Sequence, residues 1–215
     1  MVAFRFAMLV SALFLVSSAL TPSGAAEPIV VSPDEDAEAD WYAISVFGDA
    51  SCQYSGCVAV SVAGNSTACT GNNEEYQCWA VAGVGDADAC QDRDYWSTDG
   101  CIAASGLGDA HACDDLGGAS GCVAASGAGD ATACDGALDE GAADCVAVSP
   151  LGDASACDGI YSAGDCTAVS GAGDASSCTV LSSASRCVAV SVLGEAEACR
   201  SDDEADLCLA IDGTP

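Results

Sequence analysis

The sequence predicts an all-β fold, a disulfide-stapled parallel β-solenoid or β-roll made of 21–23-residue repeats. Three observations carry that prediction. The unit CVAASGAGDATAC, Cys122 to Cys134, recurs from Cys57, Cys78, Cys101, Cys145, Cys166 and Cys187, always with its two cysteines twelve positions apart. The opening cysteines follow one another at 21 or 23 residues as far as Cys208, and a fixed period in that range marks stacked units. Within each unit a short Val- and Ala-rich run, a turn ending in Gly-Asp and an Ala-x-Ala run read as two strands, and nothing has the spacing of an amphipathic helix.

In chain order, residues 1–26 place Arg5 before an apolar run from Phe6 to Leu20 and then Ser23, Gly24, Ala25 and Ala26, the pattern of a secretory signal peptide. That run is short for a membrane span, and no span is expected in the mature protein. Residues 27–40, with two prolines and acids from Asp34 to Asp40, predict an acidic, disordered leader. Residues 41–215 form the cysteine-rich repeat domain, and the product is expected to be secreted, extracellular or at the cell surface.

Stacking the units in register generates columns. The first strand holds alanine at its second position from Ala43 and Ala59 through Ala189 and Ala210, so a narrow interior is expected there. Valines such as Val58, Val123 and Val146, and Val60, Val148 and Val190, flank that column, making the strand apolar on both faces. One face then lines the coil and the other calls for a cover, from the loops or from a second subunit. Trp41, Tyr42 and Phe47 concentrate aromatic bulk in the first, degenerate copy, where it is expected to cap the stack. Nine layers at about 4.8 Å each predict a rod of about 40 Å.

The 16 cysteines in an exported chain read as disulfides. Zinc fits poorly, since the chain has no CxxC pair and one histidine. Pairing the twelve-spaced cysteines would strand Cys52 and Cys208 at opposite ends. Pairing each closing cysteine with the next opening one uses all sixteen: Cys52–Cys57, Cys69–Cys78, Cys90–Cys101, Cys113–Cys122, Cys134–Cys145, Cys157–Cys166, Cys178–Cys187 and Cys199–Cys208. Consecutive coils of a solenoid bring those positions together.

Charge excludes some partners. With 33 acids, four arginines and no lysine, the formal charge is -29, which makes nucleic acid and anionic membranes poor partners. A column of turn residues, Asp86, Asp109, Asp130, Asp153 and Asp174, continues with Asp49, Asn65 and Glu195. Like charges stacked this way call for relief. Either calcium is held between the carboxylates, or each carboxylate bonds its own turn backbone and points to water. The calcium nonapeptide of repeats-in-toxin proteins is similar only in part, since Ala128 stands where that motif places a liganding aspartate.

Catalysis has little support. His111 occupies an outward position with no second histidine, and the repeated serines suit turns rather than nucleophiles, so no catalytic residue is assigned. The outward series Thr67, Asp88, His111, Thr132, Ser155, Ser176 and Glu197 is irregular and charged, which makes ice binding the least favoured reading. Tyr95 and Trp96 in the longest loop are the best single ligand-contact candidates, and Asn65-Ser66-Thr67 is a glycosylation sequon.

At the level of the coil, CVAVS, a turn and Ala-x-Ala, as in Cys145 to Ala156, resembles the head repeats of trimeric autotransporter adhesins. The resemblance spans residues 41–212 over about a dozen residues of each repeat. It implies a parallel β-roll, a homo-oligomer and an adhesive role. The functional expectation is therefore a secreted structural or binding scaffold with an extracellular ligand, no catalytic activity and no required cofactor. A calcium-binding repeat protein is the alternative.

Overall fold

A computed structural model of the chain describes residues 30–32, 37–39, 41–69, 77–91, 98–115, 118–136, 141–159, 161–201 and 203–213. The signal-type segment 1–26 and the Tyr95–Trp96 pair lie outside them. Every regular element among the described residues is a strand, and every strand pairing is parallel. The chain is a parallel β-solenoid.

Three sheets form its walls. The first has ten strands, from Val30–Ser32 through Tyr42–Phe47 and Val123–Ser126 to Leu209–Asp212. The second has nine, from Ala37–Ala39 through Ala131–Gly136 to Ala196–Arg200. The third has six, from Thr98–Asp99 to Glu204–Asp206.

The register is that of the sequence repeat. Ala103 pairs with Ala124, Ala124 with Ala147, and Ala147 with Ala168 in the first sheet. Period-two alternation then sends the alanine and the serine two residues on inward, while the flanking valines point out. In the second sheet both alanines of each Ala-x-Ala run face inward, as Ala131 and Ala133 do. The core is almost entirely alanine, cysteine and serine, nearly all fully buried. The coil is too narrow for more.

The third sheet is an element that the sequence reading missed. Where the sequence reading gives each unit two strands, the segments before the opening cysteines from Cys101 to Cys208 supply a third, short one, and its alanine, Ala119, Ala142, Ala163 or Ala184, is buried. The signal was present as an alanine three residues before the cysteine, blurred because the preceding loop changes length.

Two corners of each coil turn through the left-handed region. The closing cysteines from Cys69 to Cys199 have φ between 57° and 60°, and residues before the opening cysteines, namely Gln77, Asp144, Asp165, Arg186 and Leu207, have φ between 54° and 58°. Each such non-glycine residue costs about 1 kcal/mol or more. Backbone bonds to the adjacent coil hold these corners. Cys69 N–H donates to the Cys52 carbonyl at 2.8 Å, and Arg186 N–H to the Asp206 carbonyl at 2.9 Å.

Two expectations about the N-terminal end need correction. Residues 30–32 and 37–39 of the leader, expected to be disordered, pair in register with Ala43–Ser45 and Ala50–Cys52 and add a further coil. The repeat register continues that far, with Val31 paired to Ile44 and Ala37 to Ala50. Trp41 and Phe47 also do not plug the interior, for they are 39% and 62% exposed while Ala43 and Ser45 fill the inward positions. Trp41 instead stacks on Tyr54 with ring centroids 6.0 Å apart.

All eight disulfides join a closing cysteine to the next opening one, in the pairing that parity favours. Cys134 and Cys145, for example, have Cα atoms 6.1 Å apart, within the span such a bond bridges.

This packing generates three predictions. Gly85, at φ +125°, carries no Cβ because one would collide with the Gly64 carbonyl oxygen of the coil before it. Gly85→Ala should cost more than about 1 kcal/mol in denaturant unfolding, whereas a change below the error of the fit would show that the backbones do not approach so closely. Replacing Cys134 and Cys145 together by alanine should cost about 2–3 kcal/mol. Full reduction should abolish the far-UV β signal, and an unchanged spectrum and melt after verified reduction would contradict the stapled core.

Candidate functional site

Three constellations stand out: a buried sulfur column, an exposed carboxylate ladder and one charge-free sheet face. The sulfur column is structural. The sulfurs of Cys57, Cys69 and Cys78 lie within 4.8 Å of one another, as do those of Cys78, Cys90 and Cys101. Metal binding needs thiolates, and every one of these sulfurs is in a disulfide. Between the bonded pairs, the Cys57 and Cys69 sulfurs sit 3.6 Å apart, so the sulfurs of adjacent disulfides touch within the core.

The carboxylate ladder begins at the tight turn. Each inward serine at the end of the first strand donates its hydroxyl to the turn glycine carbonyl of the preceding coil, as Ser149 does to Gly129 and Ser170 to Gly152, at 2.7 and 2.8 Å. From Ser126 to Ser191 the same hydroxyl accepts the N–H of the glycine three residues on, Gly152 for Ser149 and Gly173 for Ser170, whereas the Gly64 N–H three residues after Ser61 donates to the Val84 carbonyl. The recurring serines are thus buried turn clamps. The aspartate after each glycine is held at the surface.

Each of these aspartates bonds across coils and not within its own turn. Asp86 Oδ1 accepts the backbone N–H of Asp109 at 3.0 Å, Asp109 that of Asp130 at 2.9 Å, Asp130 that of Asp153 at 2.9 Å, and Asp153 that of Asp174 at 2.8 Å. Asp49 serves Asn65, and Asp174 serves Glu195, in the same way. The own-backbone turn expected from sequence is therefore replaced by an inter-coil bond, because the next coil's N–H lies one layer away along the stack. Asn65 keeps the ladder intact with its amide oxygen, which accepts the Asp86 N–H at 3.0 Å. The ladder's hydrogen bond thus requires an oxygen and not a charge.

The remaining candidates are dispersed. His111 is on the outward face of the second sheet, in register with Asp88 and Thr132, with no second histidine in the chain to join it. Arg186 pairs with Asp165 at the surface beside the third sheet.

The outward face of the first sheet differs from every other surface. Its outward positions, from Tyr42, Ile44 and Val46 at one end to Leu209, Ile211 and Gly213 at the other, include no Asp, Glu, Arg, Lys or His. Large apolar side chains crowd its exit edge, with Phe47 62%, Leu107 54%, Leu151 66% and Leu193 67% exposed. The acids lie elsewhere: in the turn ladder, at Asp88 and Glu197 on the second sheet, and at Asp99 and Asp206 on the third. In a chain of charge -29 this segregation defines an apolar wall with an acidic rim.

The ladder yields a direct prediction. Asp130→Ala, which removes the acceptor, should lower stability by about 1 kcal/mol, while Asp130→Asn, which keeps it, should leave stability unchanged or raise it at low ionic strength. Chemical denaturation of the two variants measures this, and equal losses in both would show that charge, and with it a bound cation, is what the position supplies.

Searches against protein-family models, curated proteins and solved structures return no match.

Proposed function

We propose that the protein is an exported structural or adhesive scaffold, a covalently stapled rod that works by presenting surface and not by catalysis. The observation that supports this reading best is the row of eight disulfides between successive coils, which suits an oxidising compartment outside the cytoplasm. A core of alanine and serine buries little apolar area per residue, so the staples supply stability that the interior does not. The apolar face and the varied loops are then the working surfaces, toward an extracellular ligand. Among the described residues no helix is long and apolar enough to cross a membrane.

Fractionation of the source cells with thiol-alkylation mass mapping tests the proposal. The protein should appear outside the cytoplasm with no alkylatable thiols, and its deletion should change surface attachment or envelope integrity. A reduced, cytoplasmic protein would overturn the proposal.

A further inference from the structure

We infer that the charge-free face of the first sheet is a self-association surface, on which a second copy of this chain packs face to face about a two-fold axis. The inference goes beyond the scaffold role and requires only the folded, oxidised chain.

Its first support is the contrast in charge. Two copies of a chain of formal charge -29 repel over most of their surfaces. Among the described residues, the broad wall on which they meet without opposing charges is the outward face of the first sheet, where Val58, Val60, Val146, Val148, Val188 and Val190 stand in register. A partner rich in cations would be drawn to the acidic rim and loops. An apolar, charge-free wall fits a surface of its own kind.

The second support is area. Nine strands at about 4.8 Å, each presenting outward side chains over about 15 Å, make a wall of roughly 600 Å². Pairing two such walls buries roughly 1,200 Å², the lower end of the range for specific protein–protein interfaces. Exposed apolar patches of this size on soluble proteins mark interaction sites.

The third support is shape. One apolar face per chain pairs with itself in a closed, isologous dimer, whereas a ring would need two different complementary surfaces. The strands of both walls run across the rods, so the facing sheets would pack as two layers about 10 Å apart.

Sedimentation velocity on the oxidised protein tests this over concentrations of about 1–100 μM, in low and in about 0.5 M salt. The expected result is a reversible species of twice the monomer mass, about threefold or more tighter in high salt because the rim carboxylates are then screened. Val169→Lys, an outward position of the wall, should abolish the dimer although it makes each chain less negative. Thr132→Lys makes the same charge change on the second sheet and should leave the dimer intact. Circular dichroism and thiol counts establish that each variant is folded, and Leu151→Lys, at an already exposed position, serves if Val169→Lys does not fold. A wild-type protein that stays monomeric throughout overturns the inference. So does a dimer that survives the folded wall variant or is lost in Thr132→Lys, and a species of three or more chains excludes the two-fold pairing.

Discussion

The structure depends on how closely successive coils lie. Backbone amides of one coil donate to carbonyls of its neighbour at 2.8–3.2 Å along all three walls, as Val123 does to Cys101, Ala131 to Asp153 and Gly121 to Ala143. At that spacing a side chain pointing inward must match the ones stacked on it, and alanine on three converging walls leaves room for nothing larger. Glycine is required where backbones approach without space for a methyl group, as at Gly85. The repeat is therefore strict in the residues that face inward and loose between the closing cysteine and the third strand, where chain length can vary without disturbing the stack.

Such an interior trades hydrophobic area for regularity, and the disulfides complete it. Each one ties the end of a coil to the start of the next, and from Cys69 onward the closing cysteine itself is a corner held in the left-handed region. The staple thus acts where backbone strain would otherwise loosen the turn. The acid load is arranged to the same end. In the ladder each carboxylate takes an amide from the neighbouring coil, so one group both solvates the surface and links layers. Keeping charge off the first sheet leaves a wall of different character from the rest.

Much of this was legible in the sequence because the repeat is nearly literal. Cysteines twelve apart, an alanine at one strand position throughout and a Gly-Asp turn determine register, and register determines which residues face inward. The disulfide pairing followed from counting, since only inter-coil pairing uses Cys52 and Cys208. The third wall was hidden because Ala119, Ala142 and Ala163 sit in strands of two or three residues after loops of unequal length. The aspartate ladder was visible as a column. Its partner was not, because a bond to the next coil's amide depends on the layer spacing and not on local turn chemistry. The aromatic residues misled for a simpler reason: Trp41 and Phe47 look like plugs until strand alternation and the turn place them outside.

The account rests centrally on staples that run between coils. Non-reducing proteolysis and mass spectrometry around the central repeat, with cleavage between Cys122 and Cys134, test it most directly. A peptide containing Cys134 should be recovered linked to one containing Cys145, and Cys122 linked to Cys113. Recovery of Cys122 linked to Cys134 would place the bond within a single coil and contradict it.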